Sequence, residues 1–197
     1  MAKAKPITGL DAQAPTGENA RSIARTRLEE VYSWSDYVDS PYAIRELHNL
    51  RIAAKRLRYT LEIFEDFLPD ESKSAVKELE QIQEELGSLH DSDVMIALLR
   101  LCLGSQESPV DNQALSSKQK GQGQSRSMVQ PELVAELLNP SVAPSAEERY
   151  GLEQLLRRQE QAREEQYCAF RQHWYRLLEQ DFRRNLLNIL DKEPVSV

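Results

Sequence analysis

Glycine and cysteine are scarce in this chain, and long apolar runs are missing. Seven glycines in 197 residues are too few for the tight turns of a β-sandwich or barrel, which favours helices. The two cysteines, Cys102 and Cys168, lack the spacing of a zinc site or a disulfide framework, which favours a reducing compartment. Residues 1–19 lack the apolar segment of a signal peptide, and no run reaches membrane-spanning length. We therefore expect a cytoplasmic protein with no membrane partner.

Positive charge is also in deficit. The chain carries 32 Asp and Glu residues against 25 Lys and Arg residues, a formal net charge of -7. Nucleic-acid-binding domains are usually basic, so nucleic acid is not expected as a partner. A hydrophobic content of 40% over this length fits one well-buried globular domain. An anion-binding site in such a chain has to be a local cluster of cations.

Apolar residues recur at helical spacing, and strand-like alternation with hairpin turns is not found in the sequence. The first helix is predicted over residues 20–38. A second helix is predicted from Pro41, with Ser40 as its N-cap, to Phe67. Pro69 then marks a turn. This pattern predicts an all-α fold, an antiparallel helical bundle.

The later helices are bounded by turn and capping residues. The next apolar stripe ends at Gly87, a predicted C-cap, and a short buried helix is predicted from Asp91 or Ser92 to residue 104. Ser145 and Glu148 have the spacing of a capping box that opens a long C-terminal helix. The segment DFRRNLLNIL either extends that helix or forms a last short one.

The composition changes between these helices. Residues 105–144 are rich in Ser, Gln, Gly, Lys and Pro, as in SSKQKGQGQSRS, with one short helix possible at PELVAELL. This composition predicts a mobile, disordered insert. A flexible lead, residues 1–18, precedes a single helical domain, residues 19–190, which the insert interrupts.

The stretch LHNLRIAAKRLRYTLEIF, residues 47–64, gathers cations on one side of a predicted helix. His48, Arg51, Lys55 and Arg58 follow at spacings of three, four and three, so they form a stripe that we name the basic stripe. The acids of this helix lie near its C-terminal end, and none is expected to pair with the stripe within the helix. A neighbouring face forms a core stripe of Leu47, Leu50, Ala54, Leu57, Leu61 and Phe64.

Two interpretations of the basic stripe stay open. Most charge runs on helices are solvated faces. Clustered cations beside apolar surface also suit a polyanion, because phosphate groups relieve their repulsion and accept charge-assisted hydrogen bonds. Arg56 is a weaker candidate for the same site. Arg27 and Arg163 are candidates as well, with snorkelling or an ion pair to a glutamate as the alternative.

Two histidines lie at equal distances from the predicted turn. His48 and His90 are each 21 residues from Pro69, so an antiparallel hairpin brings them to similar heights. With Asp91 and Asp93 nearby, a metal site is one interpretation, although no element carries the H-E-x-x-H ligand spacing. The favoured alternative is that these two acids cap a helix.

Two segments of the chain resemble the CHAD domain, the conserved histidine α-helical domain. The first carries a histidine, a Leu-Arg pair and a K/R-R-L-R-Y run at His48, Leu50, Arg51, Lys55, Arg56, Leu57, Arg58 and Tyr59. The second, LEQIQEELGSLHDSDV, is similar to L-Q-x-x-L-G-x-L-x-D at Ile82, Gln83, Leu86, Gly87, Leu89 and Asp91. Both lie within residues 47–103.

The resemblance implies an all-helical domain with a basic cavity for inorganic polyphosphate. It further implies a place beside a triphosphate-handling partner protein or at polyphosphate granules, with no catalytic function and no cofactor. The family's helical unit usually occurs twice, whereas KRLRY occurs once here. Family members that bind polyphosphate strongly also tend to be basic, whereas this chain is acidic. Weak affinity, or a second half supplied by another subunit in a homodimer, is therefore expected.

These observations lead to one predicted function and two alternatives. The prediction is a non-catalytic module whose basic stripe binds successive phosphates, with Arg56, Arg27, Arg163 and His90 as weaker additions. One alternative is a scaffold that recruits partner proteins through its acidic surface and its insert. The other is a metal-binding protein that uses His48 and His90. An enzyme is disfavoured because the sequence shows no Gly-rich phosphate loop and no nucleophile elbow.

Overall fold

The computed structural model describes residues 4–104 and 144–192, and every regular element in these ranges is helical. Five α-helices are present there, numbered in chain order: α1 (Thr16–Tyr32), α2 (Ile44–Ile63), α3 (Ser72–Cys102), α4 (Ala146–Glu179) and α5 (Phe182–Asp191). Two 3₁₀ turns, Ser35–Tyr37 and Glu65–Phe67, follow α1 and α2. The predicted all-α class is confirmed. The insert predicted at 105–144 lies outside the described residues, apart from its last position.

The described residues contain no candidate membrane-spanning helix. In neither described range is any helix both long enough and apolar enough to cross a lipid bilayer.

Helix α2 begins later than predicted. The Ala43 N–H donates to the Ser40 carbonyl at 3.0 Å, and this turn delays the first helical residue to Ile44. Ser40 is therefore not the N-cap, and the predicted start at Pro41 is wrong. α1 likewise ends at Tyr32, because the chain beyond it forms a 3₁₀ turn. In both places local turn hydrogen bonds replace helical ones that the apolar spacing alone allows.

Helix α3 is a single helix of 31 residues, so the predicted break at Gly87 is wrong. Among the described glycines only Gly9 and Gly104 have positive φ, and the 75° of Gly104 suits its position just after α3. Asp91 and Asp93 lie inside the helix, so the predicted capping role is also wrong. A glycine in a helix interior costs about 1 kcal/mol. Burial outweighs this cost, because α3 continues to bury apolar side chains beyond Gly87, among them Leu89, Ile96 and Leu99.

The predicted capping box at the start of α4 is confirmed. The Ser145 N–H donates to Glu148 Oε2 at 2.8 Å, and the Glu148 N–H donates to Ser145 Oγ at 3.3 Å. The last predicted helix is a separate element rather than an extension of α4. Asp181, which lies between α4 and α5, has a φ of 52°, and this left-handed residue interrupts the helical path.

The chain divides into two compact units. The first comprises Met1–Gly87 and Tyr167–Val197, and the second comprises Ser88–Gln166. In the first unit the predicted core stripe of α2 is buried from Leu47 to Leu61, and Phe64 is half-buried. A fully buried large apolar side chain contributes about 1.5–3 kcal/mol relative to exposure. The other helices of this unit add fully buried side chains from Leu28, Leu79, Ile82, Phe170, Leu186 and Leu190.

A buried glutamate joins α1 to α2. Glu30 is 5% exposed, and its Oε2 accepts a hydrogen bond from Arg27 Nη1 at 2.8 Å. Its Oε1 accepts another from Arg56 Nη1 on α2. Burial disfavours an isolated carboxylate, and two guanidinium groups compensate it here. We name this arrangement of Arg27, Glu30 and Arg56 the Glu30 clamp.

His173 of α4 lies buried between two glutamates of α3. Its Nδ1 is 2.8 Å from Glu85 Oε2 and its Nε2 is 3.0 Å from Glu78 Oε2. The hydrogen bond with Glu85 is the largest cause that raises the pKa of His173 above its ordinary value of 6.5, against the lowering effect of burial. An imidazole donates from both nitrogens only when it is protonated, so the charged form fits these two carboxylates.

Replacing Glu30 with glutamine is expected to lower the free energy of unfolding by about 2 kcal/mol, because two partly buried guanidinium groups lose their charged partner. Chemical denaturation measures this loss. The matched control is Glu29→Gln, whose carboxylate pairs with Lys5 at the exposed surface and contributes less than about 1 kcal/mol. Equal losses in the two variants would contradict a stabilising role for the Glu30 clamp.

Replacing His173 with glutamine is expected to remove a pH dependence of stability. Because the folded pKa is raised, the contribution of His173 is fully present below the unfolded value of 6.5 and is lost as the pH rises through the folded value. The free energy of unfolding of the wild-type protein should therefore fall relative to the variant as the pH rises above the unfolded value of 6.5. Denaturation curves of both proteins below and above this pH test it, and a constant difference would refute it.

Candidate anion-binding site

The basic stripe lies along α2 in the first unit. His48, Arg51 and Arg58 are half-buried, and Lys55 is exposed. The stripe rises about 15 Å along the helix axis from its first to its last residue, so the cations form a row rather than a single point. Tyr59 lies beside the row, with its ring centroid 5.4 Å from Lys55 Nζ and 5.0 Å from Arg58 Cζ. These cation–π distances place an aromatic surface against Lys55 and Arg58.

The stripe faces the first half of α3 in an antiparallel register. The Arg51 guanidinium lies over Gly87, and Arg58 reaches Glu80. In each contact the two partners are equally far from Pro69 in the sequence. Arg51 and Gly87 are each 18 residues from it, and Arg58 and Glu80 are each 11 residues from it. This register agrees with the hairpin predicted around Pro69. The two contacts are seven residues apart on both helices, which is about two helical turns.

Gly87 provides the space in which the Arg51 side chain lies against α3. A Cβ placed on Gly87 would be 3.5 Å from Arg51 Nε and 3.6 Å from its Nη2. The Nε atom of Arg51 is buried and has no hydrogen-bond partner among the described residues. Gly87 thus lies inside α3 against a guanidinium, and not at the helix end that the sequence suggested.

Arg58 is neutralised by acids of the protein. Its Nη1 is 3.1 Å from Glu80 Oε1 on α3, and its Nε is 3.6 Å from Glu62 Oε1 on α2. The expectation that no acid within the helix pairs with the stripe is therefore wrong. Glu62 lies four residues after Arg58 and can reach back along one helical turn, a spacing at which opposite charges meet.

Arg51 and Lys55 have a different electrostatic environment. Within the described ranges no carboxylate lies at ion-pair distance from either side chain. The two residues are four positions apart on α2, a spacing at which like charges repel by a few tenths of a kcal/mol. This part of the stripe therefore carries two positive charges that no described carboxylate compensates at short range.

Arg56 and Arg27, two weaker site candidates, both take part in the Glu30 clamp. Arg27 Nη1 also donates to the Lys5 carbonyl at 2.9 Å. Arg56 is five residues after Arg51, which turns it about 140° around α2 from Arg51 toward α1. Each of these arginines thus binds a carboxylate, which is the alternative that the sequence left open for Arg27.

The remaining candidates, His90 and Arg163, belong to the second unit. Arg163 is 6% exposed and its Nε donates to Oδ1 of Asp93, which is 7% exposed. Burial raises the pKa of the Asp93 carboxyl, and Arg163 opposes this effect less strongly. In the same unit Gln159 Nε2 donates to Ser92 Oγ at 2.7 Å. The predicted meeting of His48 with His90 joins residues of different units and stays a prediction.

Residues 4–104 and 144–192 contain no ligand set for a metal ion. No group of three or more His, Cys, Asp or Glu side chains in these ranges has an arrangement that holds a metal ion. Of the two acids weighed as ligands, Asp93 binds Arg163, and Asp91 is exposed on α3.

Two residues of α3 contact the basic stripe in a way that was not predicted from the sequence. Glu80 was not considered, and Gly87 was predicted to end a helix. A signal for them exists, because Glu80 and Gly87 have the same spacing of seven as Arg51 and Arg58. Two helices that meet in a hairpin bring such equal spacings together when the turn lies midway. The buried His173 was missed as well, since its partners Glu78 and Glu85 lie on another helix.

A comparison with known protein families finds a match in the first half of the chain. The family model described as CHAD domain matches residues 3–100. This range contains α1, α2 and all but the last two residues of α3. No curated protein and no solved structure matches the chain.

Gly87→Ala is expected to leave the free energy of unfolding unchanged or to raise it by up to about 1 kcal/mol, because alanine is the better helix former. The new methyl group meets Arg51 at 3.5 Å, an ordinary van der Waals distance. Gly87→Leu is expected to lower stability by about 1–3 kcal/mol, since the larger side chain needs the space that the guanidinium occupies. Thermal denaturation of both variants tests this. Destabilisation by alanine as large as that by leucine would mean that Gly87 is needed for its backbone conformation.

Proposed function

Because the chain belongs to the CHAD domain family, we propose that it binds inorganic polyphosphate through the basic stripe of α2 and does not turn the ligand over. Phosphate oxygens are strong acceptors for guanidinium and ammonium donors, and each phosphate group of the polymer brings negative charge. The proposed site lies wholly in the first unit. Its main residues are His48, Arg51, Lys55 and Arg58.

The observation that carries the proposal is the uncompensated charge of Arg51 and Lys55. The two arginines of the Glu30 clamp, in the same unit, have a carboxylate partner. Arg51 instead keeps a buried Nε without a hydrogen-bond partner in the described chain. A buried donor without an acceptor costs about 1–3 kcal/mol. An anion bound by the two side chains relieves the repulsion between the two cations.

The residues of the stripe differ in the roles we assign to them. Arg51 is held against α3 at Gly87, so its guanidinium is positioned to donate charge-assisted hydrogen bonds to one phosphate. Lys55 is exposed and acts as a flexible point charge for the next group. His48 and Arg58 extend the row at its two ends. Arg27, Arg56, His90 and Arg163 remain secondary candidates.

A linear polyanion fits the stripe better than a single phosphate. The cations are spread over about 15 Å of helix, so one phosphate reaches only one or two of them. The net charge of -7 opposes long-range attraction of any anion. Salt screens charges beyond about 10 Å at 0.1 M, so binding depends on the local cluster and its hydrogen bonds. We accordingly expect modest affinity.

The proposal extends to the location, the partner protein and the oligomeric state. We propose a cytoplasmic location at polyphosphate granules and a triphosphate-handling protein as partner. We also propose that two copies of the chain combine their basic stripes, because KRLRY occurs once. Mass measurement in solution, with and without polyphosphate, tests the homodimer.

Charge reversal of Arg51 and Lys55 together is expected to abolish binding of polyphosphate. Calorimetric titration of the wild-type protein should show binding that weakens steeply with salt, because bound polyanions release counterions. Single-stranded DNA serves as the competing polyanion. Arg157→Glu with Arg158→Glu is the matched control, since it makes the same charge change at two exposed positions of α4.

Three results would count against the proposal. The first is unchanged binding after Arg51→Glu with Lys55→Glu, or an equal loss in the control variant. The second is wild-type binding of single-stranded DNA as tight as that of polyphosphate. The third is a folded wild-type protein that binds no polyphosphate at any salt concentration, which is the behaviour expected of a scaffold. Circular dichroism checks folding, and Arg51→Gln with Lys55→Gln repeats the test with a milder change.

A further inference from the structure

Arg58 differs from Arg51 and Lys55 because it faces two carboxylates. Glu80 Oε1 lies 3.1 Å from its Nη1, and Glu62 Oε1 lies 3.6 Å from its Nε. This end of the basic stripe therefore carries more negative than positive charge. The stripe has an open part at Arg51 and Lys55, and a closed part at Arg58 that acids of the chain already occupy.

We infer that Glu80 is an internal competitor for the anion at Arg58. Its carboxylate holds the position that a phosphate group takes when a polyphosphate chain extends along the stripe. The inference rests on the proposed function and adds a specificity-determining residue to it. Glu80 limits the affinity for polyphosphate, and it confines the first contact to Arg51 and Lys55.

The exposure of the two partners suits this exchange. The Glu80 side chain is 54% exposed, whereas that of Arg58 is 18% exposed. Glu80 can rotate into water without burying its charge, while Arg58 stays in place between α2 and α3. A phosphate oxygen then accepts the same charge-assisted hydrogen bond that the carboxylate accepted.

Glu62 is the weaker of the two competitors. Its distance of 3.6 Å to Arg58 Nε is too long for a hydrogen bond. It also follows Arg58 by four residues, and this order of charges is the less favourable one on a helix. Glu80, which comes from the neighbouring helix, is therefore the residue that closes this end of the stripe.

Glu80→Gln separates competition from a purely structural role. Glutamine keeps the length of the side chain and an oxygen acceptor, so α2 and α3 remain joined at this point. The variant is expected to bind polyphosphate of fixed chain length about two- to fivefold more tightly than the wild-type protein, the range expected when one partner of an exposed ion pair is neutralised. Glu71→Gln is the matched control, because it removes one exposed carboxylate that pairs with Lys192.

A double-mutant cycle adds the decisive comparison. Arg58→Gln should weaken binding little in the wild-type background, where Glu80 occupies the guanidinium, and more strongly in the Glu80→Gln background. Calorimetric titration measures all four proteins together with the Glu71→Gln control. Tighter binding by Glu80→Gln than by the wild-type protein, without the same gain in Glu71→Gln, supports the inference.

Failure of the inference is distinguishable from failure of the proposed function. If the wild-type protein binds polyphosphate through Arg51 and Lys55, but Glu80→Gln binds no more tightly than Glu71→Gln, the competitor role is overturned and the proposed function stands. If neither the wild-type protein nor Glu80→Gln binds, and both are folded, the proposed function and the inference both fall. An equal gain in both glutamine variants assigns the effect to net charge and also overturns the inference.

Discussion

The close approach of the Arg51 guanidinium to α3 is the contact on which the candidate site depends. It requires a small residue at position 87, and it accompanies the register in which α2 and α3 lie against each other. Seven residues later on α2, the same register brings Arg58 to Glu80. One helix–helix contact therefore decides which cations face open space and which face an acid.

The distribution of charge matters more here than its total. The chain is acidic overall. Its carboxylates nevertheless pair with some cations and not with others. Glu30 binds two arginines at the α1–α2 contact, while Glu78 and Glu85 face His173. These acids serve internal partners and are drawn away from the basic stripe. An acidic protein can thus keep a short positive row, because these acids are paired with other cations.

The helical class and most helices followed from apolar spacing, since the period of 3.6 residues is a property of the segment itself. The helix ends were harder. Ser40 and Gly87 are good capping types, but a turn at Ala43 and burial beyond Gly87 decided the outcome. The basic stripe also followed from the spacing along one helix. The acid that closes it at Arg58 did not, because Glu80 lies on another helix and its contact depends on the packing register.

The shared spacing of seven residues on α2 and α3 also restricts how this region tolerates changes in length. An extra residue between Arg51 and Arg58, or between Glu80 and Gly87, rotates one contact by about 100° relative to the other. Both contacts then cannot form at once. Extra residues in the segment 64–71, between the two helices, leave the spacing on each helix intact. Residues 51–58 and 80–87 therefore accept substitutions but no change of length, whereas the connecting turn accepts insertions and deletions.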